Sequence, residues 1–446
     1  MTERSARKRV LILGGGFAGV STAQELVKRL KRARRADVDV VLLNRDNYFV
    51  FQPLLADILS ATIETTHVVV PLRRMLPGVD VEVGIVESVD TEARRVWLRR
   101  RLTGERIAFA YDELVVALGS VTDFRSVPGM AEHALGIRTL GDAFYLRNRC
   151  LDVLEEAGLE KDPERRARLQ TIVVVGGGST GVEVAAELHD LVHTAARSFH
   201  EDPPLEPRVV LIHGGPYLLP AFGASLGKYT TRRLRKTGVE LVLNKRLARV
   251  DADRVVLDDG SEIETLTVVS TVGNAPHPVV TSLPGRKDAR GWITPDATFK
   301  VPEADHVWAL GDCASIIDPK NGRPMPATAQ HAVREGPHAA RNVLAAIDGQ
   351  PLKPFSYAQQ GMLVSLGRFR GAGEILGVKV SGLIAWIAWR GYYLLRLPTW
   401  DRKIRVAVDW TLDWVLRRDI VEINVRRSRT VPDDDTKPPD DQLEVS

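Results

Sequence analysis

Cysteine is scarce in this 446-residue chain, which contains only Cys150 and Cys313. Because there is no CxxC pair, the sequence excludes a disulfide framework and favours a reduced, cytosolic compartment. No run reaches the roughly 18 uninterrupted apolar residues of a spanning helix. The N-terminus lacks the apolar core of a signal peptide, so we expect none. Metal-ligand clusters are also missing from the sequence, and we expect no bound metal.

Charge is distributed unevenly along the chain. The net formal charge is +4, but residues 431–446 carry six acidic side chains against Lys437, a net of −5. Residues 1–430 therefore carry about +9. This excess suits an anionic partner, such as a dinucleotide or a lipid surface, but selects neither. The length allows two to three domains, and a composition of 44% hydrophobic and 26% charged residues is that of a soluble globular protein.

A short motif occurs twice in the sequence. Residues 10–26 read VLILGGGFAGVSTAQEL, and residues 172–188 read IVVVGGGSTGVEVAAEL. Each copy is an apolar run, then GxGxxG, then a helix-forming segment that ends in Glu-Leu. The aligned positions are Gly14 with Gly176, Gly16 with Gly178, Gly19 with Gly181, and Glu25 with Glu187.

The spacing of these glycines has a physical reason. The first makes the strand-to-helix turn, the second lets the backbone approach a pyrophosphate, and the third lets helix and strand pack closely. Two further strands, 38–43 and 208–213, read as the second strands of the two units and end at Asn44 and His213. An acidic residue normally takes the ribose hydroxyls there. The sequence therefore predicts an α/β fold with two Rossmann-like dinucleotide-binding units.

Four other segments indicate to which protein family the chain is similar. They are FQPLL (51–55), YDELVVALGS (111–120), HVWALGDCAS (306–315) and PATAQHAVREG (326–336). Together with the two glycine motifs they resemble the membrane-peripheral type II NADH dehydrogenases, within the two-dinucleotide-binding flavoproteins. The resemblance runs from about residue 8 to 425, and the motifs occur in the family's order.

The resemblance implies noncovalent FAD on the first unit and NADH or NADPH on the second. For FAD it implies Gly14, Gly15, Gly16, Phe17, Ala18, Gly19, Asn44, Arg45, Ala117, Gly119, Gly311, Asp312, Ala329 and Gln330. Among these, Asn44 and Arg45 would lie near the adenosine ribose, and Asp312 would bind the ribityl chain. For the nicotinamide nucleotide it implies Gly176, Gly178, Ser179, Thr180, Gly181, His213 and Gly273.

Three residues are candidates for a catalytic role. Glu183 matches a family glutamate near the flavin, although a glutamate in the first turn of a helix is also favoured by the helix dipole alone. Gln330 would lie beside the isoalloxazine ring. Arg334 replaces the second glutamine of the family's AQxxxQ, and it could donate to a quinone oxygen or form an ion pair with Glu335 or Glu183.

His213 bears on the choice of nicotinamide nucleotide. Without a carboxylate at this position, the ribose of NADH has no acceptor there for its hydroxyl hydrogen bonds. The 2′-phosphate of NADPH, in turn, is no longer repelled by a negative charge. NADPH therefore becomes an acceptable donor beside NADH. The alternative is a partly buried loop histidine with no role. Asn44 is the milder substitution, because its carbonyl can still accept from a ribose.

The segment 366–418 differs in composition from the rest of the chain. It carries a net charge of +6 and five of the eight tryptophans. Residues 383–398 are apolar and aromatic, interrupted by Arg390 and Arg396, which predicts an interfacial helix. Farther on, a charged stripe recurs at four-residue spacing, with apolar residues on another face. The stripe is Arg405, Asp409, Asp413 and Arg417, and the apolar residues are Val408, Leu412, Val415 and Leu416. We expect docking to an anionic lipid surface; packing on the flavin domain or a second subunit is the alternative.

The predicted organisation is discontinuous. We expect an FAD domain at 8–120 and 286–365, an inserted NAD(P)H domain at 121–285, a membrane-docking region at 366–426 and a disordered acidic tail at 427–446. The basic run 28–35 reads as a solvated helix end, so we expect no nucleic-acid partner.

The function implied is that of an FAD-dependent NAD(P)H:quinone oxidoreductase that does not pump protons. It would lie on the cytoplasmic face of the cell membrane, as a monomer or a homodimer. Two alternatives stay open. One is a flavin-bound regulatory or scaffold protein with little turnover, and the other is a sulfide:quinone-type oxidoreductase, which would need redox-active Cys150 and Cys313.

Overall fold

The computed structural model describes residues 7–199, 202–416, 418 and 420–422. The predicted acidic tail, 427–446, lies outside these residues. Strands up to residue 122 are β1 Lys8–Leu13, β2 Val38–Asn44, β3 Tyr48–Val50, β4 Val69–Pro71, β5 Asp80–Val83, β6 Ile85–Asp90, β7 Arg95–Arg99, β8 Arg106–Ala110, β9 Glu113–Val116 and β10 Ser120–Thr122. Those that follow are β11 Ala134–Leu135, β12 Thr171–Val175, β13 Arg208–His213, β14 Glu240–Leu243, β15 Leu247–Val250, β16 Arg254–Leu257, β17 Glu262–Glu264, β18 Thr267–Ser270, β19 Asn274–Pro276, β20 Val307–Ala309, β21 Gly361–Ser365, β22 Gly371–Ile375 and β23 Val378–Ser381. The α-helices are α1 Phe17–Arg32, α2 Leu55–Leu59, α3 Leu72–Met75, α4 Met130–His133, α5 Leu140–Leu159, α6 Pro163–Gln170, α7 Ser179–Ser198, α8 Gly223–Thr237, α9 Pro278–Ser282, α10 Ala329–Ile347, α11 Gly382–Arg396 and α12 Trp400–Val415.

The first unit is built on a parallel sheet with strand order β20-β9-β1-β2-β5. Its central strands, β1 and β9, are apolar runs with both faces covered, which is how parallel strands are normally buried. Leu13 at the end of β1 pairs with Leu43 on one side and Val116 on the other. The carboxyl ends of β1, β2 and β9 therefore meet at one edge, on either side of the central strand. This is the edge where such sheets bind ligands.

The second unit repeats the first. Its parallel sheet has the order β11-β18-β12-β13-β14, with the second glycine motif after the central strand β12. In both units a three-stranded antiparallel sheet, β6-β7-β8 or β15-β16-β17, precedes the strand that returns beside the central one. The duplication seen in the sequence thus covers a whole folding unit, and the α/β fold class is as predicted.

Two antiparallel strands connect the units. The chain leaves the first unit through β10 and returns through β19, and these strands pair with each other, Ser120 opposite Pro276. After the return, Val279 and Val280 of α9 pack into the same apolar cluster as Leu11 of β1. The boundaries at 120 and 285 stay predictions.

The C-terminal region forms a three-stranded sheet, β21-β22-β23, followed by the helices α11 and α12. Trp386, Trp389 and Trp410 are buried, whereas Trp400 and Trp414 are exposed. Only two of the five tryptophans are thus placed where the interfacial prediction would put them. The other three cover the core because both helices are amphipathic.

Helix α12 buries Val406 and Trp410 together with part of the predicted charged stripe. Asp413 is buried and His67 Nδ1 lies 2.5 Å from Asp409 Oδ2, whereas Arg405 is exposed. Arg417, the last member of that stripe, lies outside the described residues. Val408, Leu412 and Val415 are exposed. Within the described part of the chain, no helix is long and apolar enough to cross a membrane.

Candidate active site

The first glycine turn is closed on its protein side and open on the other. Gly14 has a φ of +104°, and a Cβ there would collide with the carbonyl of Ala117. A Cβ on Gly19 would collide with the carbonyl of Gly14. At Gly16, by contrast, an added Cβ would find no atom within 4 Å. Gly16 caps α1, so a phosphate in this open space would meet the N–H groups of the helix start.

Asn44 and Arg45 lie beside this turn. The Gly15 N–H donates to Asn44 Oδ1 at 2.8 Å, and Asn44 Nδ2 donates to the Asp46 carbonyl at 2.8 Å. Asn44 therefore holds the glycine loop in addition to any contact with a ribose. The side chain of Arg45 is half-exposed and lies 3.4 Å from Asp46. Both residues stand where the sequence predicted, and their contact with a nucleotide stays a prediction.

The turn at Gly311 and Asp312 lies against the first glycine turn. A Cβ on Gly311 would lie 2.9 Å from the Cβ of Ala18, so the Gly311–Asp312 turn abuts the first turn of α1. Gly119 follows β9 with a φ of +70° at the same sheet edge. The predicted FAD positions of Ala117 to Gly119, Gly311 to Asp312 and the first turn of α1 are therefore brought together.

Two residues at this site were missed by sequence reasoning. Glu335 Oε2 accepts from the Gly311 N–H at 2.8 Å and holds the turn, and burial raises the pKa of Glu335 to about 7. Arg138 Nη2 lies 3.7 Å from Asp312 Oδ2. Burial raises the pKa of Asp312, and the charge of Arg138 opposes this. Arg138 comes from a loop between β11 and α5, which no local motif marks.

The second glycine turn has the same geometry as the first. Gly176 has a φ of +114°, a Cβ on Gly181 would collide with the carbonyl of Gly176, and Gly178 opens onto free space. Ser179 and Thr180 begin α7 and are exposed. Gly273, with a φ of +77°, is exposed beyond β18. A second pyrophosphate therefore has the same kind of place at α7 as the first has at α1.

His213 lies at the end of β13, against Gly177 of this turn. Its Nε2 atom is buried and finds no hydrogen-bond partner among the described residues. Burial lowers the pKa of His213, so the ring is neutral at pH 7. A recess in the loop after β13 is lined by Tyr217, Lys228 and Arg232, among others. Lys228 and Arg232 therefore place positive charge in the recess beside the loop that follows His213, whereas His213 itself is neutral.

Glu183 lies one turn into α7, with its carboxyl inside the protein. Glu183 Oε1 accepts from the Ser365 N–H at 3.0 Å and from the Trp389 indole N–H at 3.1 Å. Burial raises its pKa to about 8. The carboxyl thus holds a proton at neutral pH, unlike a surface charge at a helix start. Its catalytic role stays a prediction.

Gln330 and Arg334 form a second group at the start of α10. Gln330 Nε2 donates to the Gly361 carbonyl at 3.0 Å. Arg334 donates to the Gln330 carbonyl at 2.8 Å, and its guanidinium lies 4.3 Å above the Tyr357 ring. Arg334 forms no ion pair with Glu183 or Glu335 in the described structure. Its charge therefore stays available at the mouth of the first site.

Strand β21 joins these two groups. Its first residue, Gly361, bonds Gln330, and its last, Ser365, bonds Glu183. At about 3.3 Å per residue, the two bonds lie about 13 Å apart along the strand. Glu183 therefore lies at one end of this strand and the contacting pair Gln330 and Arg334 at the other.

Comparison with known proteins agrees with this arrangement. Residues 8–336 match the family model described as pyridine nucleotide-disulphide oxidoreductase. This chain belongs to that family. Over 92% of its length it is 31% identical to the type II NADH:quinone oxidoreductase Ndh of Mycobacterium tuberculosis, and it covers 89% of that protein. It is also 31% identical to the internal alternative NAD(P)H-ubiquinone oxidoreductase A1 of Arabidopsis thaliana, over 95% of this chain and 87% of that one.

The fold agrees with a solved structure as well. The NDH2 of Plasmodium falciparum, in a complex with NADH, superposes with a TM-score of 0.84 at 18% identity, over 93% of this chain and all of that one. The resemblance to type II NADH dehydrogenases inferred from the sequence is thus confirmed, as is the α/β fold.

Proposed function

We propose that this chain is an FAD-dependent NAD(P)H:quinone oxidoreductase. The observation that carries the proposal is the pair of glycine turns, each closed by protein on one side and open at Gly16 or Gly178 on the other. Glu183, on the helix that follows the second turn, carries a carboxyl whose pKa burial raises to about 8. Two turns that can each receive a dinucleotide pyrophosphate suit electron transfer from a nicotinamide nucleotide to a flavin and on to a quinone.

The sulfide:quinone alternative is disfavoured by the two cysteines. Both Cys150 and Cys313 are free and fully buried, in different apolar clusters. Burial raises the pKa of each thiol to about 12. Reactive cysteines are accessible and have lowered pKa values, so neither residue suits redox chemistry on sulfide.

The residues of the chain have separate tasks in this reaction. Bound FAD supplies the two-electron redox chemistry. The start of α1 holds its pyrophosphate, and Asp312 accepts hydrogen bonds from its ribityl hydroxyls. The start of α7 holds the donor dinucleotide. Gln330 and Arg334 donate to the quinone, and Glu183 holds a proton near the point where donor and acceptor meet.

A direct experiment tests this function. Adding NADH or NADPH at about 1 mM to the yellow protein without oxygen is expected to bleach the flavin absorbance, because donor concentrations in this range saturate most enzymes. A soluble quinone added afterwards restores the colour. A flavin that neither donor bleaches would rule out the dehydrogenase and favour the regulatory or scaffold alternative. If the flavin is bleached but its colour does not return when quinone is added, the NAD(P)H dehydrogenase activity stands and the assignment of a quinone as acceptor fails.

The variant His213→Glu is expected to shift donor choice toward NADH. A carboxylate here would accept from the ribose hydroxyls of NADH and repel a 2′-phosphate, and like charges brought together cost several kcal/mol. The ratio of kcat/KM for NADPH to that for NADH should fall by about tenfold or more. His133→Glu, an exposed substitution in the same unit, is the control. An unchanged ratio in His213→Glu would show that His213 does not face the 2′ position.

The second part of the proposal concerns the membrane. One face of the C-terminal helices is exposed and apolar, and its members are Leu383, Ile384, Ile387, Leu395, Trp400, Ile404, Val408, Leu412, Trp414 and Val415. Lys403 lies 4.9 Å from the Trp400 ring, and Arg396 is exposed at the end of α11. An apolar face edged by tryptophan and cations suits an anionic lipid surface.

This face would hold the enzyme on the cytoplasmic side of the cell membrane. Quinone partitions into lipid, so docking through α11 and α12 also brings the acceptor to the flavin. In a homodimer, the same apolar face could instead be covered by a second copy of the chain. Vesicle binding and size-exclusion chromatography of a variant of this face distinguish a lipid surface from a second copy.

A further inference from the structure

Helix α7 carries a line of carboxyl groups that runs from the candidate active site to the surface. Glu183, Glu187 and Asp190 are spaced by four and three residues, so they lie on one face of the helix. Glu187 is 6% exposed. The side chain of Asp190 is 35% exposed. The line thus begins beside the strand β21 and ends in solvent.

A second element adds to this line. Asp57 of α2 is 5% exposed and lies in the electrostatic field of Glu183 and Glu187. Ser60, at the end of the same helix, hydrogen-bonds Glu187 through its hydroxyl, and this hydroxyl lies 2.8 Å from that of Thr62. The buried carboxyls of Asp57 and Glu187, the partly buried carboxyl of Glu183 and two hydroxyls therefore connect the first unit with the second.

Two arginines face these carboxyls, one at each side. At the outer end, Arg418 lies 2.6 Å from Asp413 and 3.5 Å from Asp190. On the inner side, the guanidinium of Arg390 is stacked between Trp386 at 4.0 Å and Trp410 at 4.7 Å. Its Nε and Nη1 atoms are buried and make no hydrogen bond to the part of the chain described. The cations therefore do not pair directly with Asp57, Glu183 or Glu187.

Burial favours the protonated form of these three carboxyls. It raises the pKa of Asp57 to about 7, with Arg390 opposing it. Burial, together with the neighbouring Asp57 and Asp190, raises the pKa of Glu187 to about 8. Burial likewise raises the pKa of Glu183 to about 8, and Tyr393 of α11 lies in its field. Groups with pKa values near 7 to 8 can take up and release protons at working pH.

The proposed reaction needs such a supply. NADH, one proton and a quinone give NAD⁺ and a quinol, so each turnover takes one proton from water in addition to the hydride. Glu183 lies under α11, which covers it through Trp389. A proton that reaches this carboxyl from Asp190 must therefore pass through protein rather than through bulk water.

We propose that Asp57 and Glu187 pass this proton from solvent at Asp190 to Glu183. The inference rests on the proposed function and adds a route to it. The proton enters at the exposed Asp190, moves to Glu187, and reaches Glu183 either directly or through Asp57. One helical turn separates the carboxyls on α7, about 6 Å between Cβ atoms, a gap that one water molecule bridges. When Glu183 gives up its proton for quinol formation, a proton taken up from solvent at Asp190 replaces it.

The same residues could instead form a structural clamp. Asp57, Glu187, Arg390, Asp413 and Arg418 come from α2, α7, α11, α12 and the segment after it, so they also hold the C-terminal helices in place. A clamp affects stability and docking but not the rate of proton delivery. The two roles therefore differ in what isosteric, non-titrating substitutions do to turnover.

The test uses the flavin-loaded variants Asp57→Asn and Glu187→Gln. Anaerobic bleaching by NADH should keep its wild-type rate, whereas turnover with a soluble quinone should fall about tenfold to a hundredfold, as for loss of a positioned proton donor. The solvent deuterium isotope effect on that turnover should rise. Asp57→Glu should restore both. Glu25→Gln is the matched control, because Glu25 occupies the equivalent position on α1 and pairs with Arg29.

A measurement without turnover checks the protonation itself. The pKa of Asp57 is raised from 3.8 to about 7 on folding, and that of Glu187 from 4.5 to about 8. Each contribution to stability is fully present below the unfolded pKa and is lost as pH rises through the folded pKa. The thermal midpoint of the wild type should therefore fall across this window, and less steeply in Asp57→Asn and Glu187→Gln. Equal slopes would show that these carboxyls hold no protons and would overturn the relay.

Two outcomes separate the relay from the proposed function. If the wild-type flavin is not bleached by NADH, the function itself fails. If the wild type turns over, but the variants lose only stability and keep the wild-type rate and isotope effect, the residues are a clamp and the relay is refuted.

Discussion

Replacing Gly16 by valine is expected to yield a folded protein without flavin. Gly16 has extended backbone angles, φ −81° and ψ −168°, which valine adopts without strain. An added Cβ meets nothing within 4 Å. The side chain would therefore leave the protein intact and fill the place of the FAD pyrophosphate. We expect FAD affinity to fall by about a hundredfold or more, measured by flavin fluorescence on dialysis.

The equivalent variant in the second unit, Gly178→Val, should behave differently. Gly178 has the same open side and extended angles, φ −75° and ψ −174°. This protein should stay yellow, but NADH should no longer bleach it at concentrations that saturate the wild type. Each variant is the control for the other. A colourless Gly178→Val or a yellow, normally reduced Gly16→Val would show that the two sites had been assigned the wrong way round.

The double variant Ile384→Asp, Ile387→Asp is expected to detach the protein from lipid vesicles. Ile384 is 71% and Ile387 is 57% exposed, on the apolar face of α11. Burying both in a bilayer contributes about 3 kcal/mol, so their loss should lower partitioning to anionic vesicles by about a hundredfold. Sedimentation with vesicles measures this. Binding to neutral vesicles should be weaker than to anionic ones already in the wild type, because Arg396 and Lys403 border the face.

A matched control lies in the second unit. Leu159→Asp changes an apolar side chain that is 84% exposed at the end of α5, away from the C-terminal helices. It should leave vesicle binding unchanged. If the double variant still sediments with vesicles, the membrane proposal fails. If it instead turns a dimer into a monomer on size-exclusion chromatography, a second copy of the chain covers this face.

The glycine turns and their helices could be predicted from the sequence because their determinants are local. The strand, the turn and the helix start lie within twenty residues. The first and last glycines of each turn meet a neighbour that is fixed by the same motif or by the adjacent strand end. The end of β13 at His213 was predicted for the same reason. The two units also share one strand order in their parallel sheets, as expected because residues 176–187 repeat the motif of residues 14–25.

The carboxyl line could not be predicted. Asp57 and Glu187 are separated by 130 positions, and each reads alone as an ordinary acidic residue of a short or amphipathic helix. Only the packing of α2 against α7 makes them neighbours, and only the cover of α11 buries them. The contact of the charged stripe on α12 with the protein could not be predicted for a related reason. Periodicity shows that a helix has two faces, but which of them packs on the protein depends on partners such as His67.

The two connections between the nucleotide units also have a consequence for the chain entropy of the first unit. Thr122 and Asn274 lie opposite each other in an antiparallel pair, so their Cα atoms are about 5 Å apart. An insertion whose two ends meet in this way adds little closure entropy to the host, whatever its length. The 151 residues between these points therefore add little closure cost to the first unit, much as a loop tolerates a guest domain.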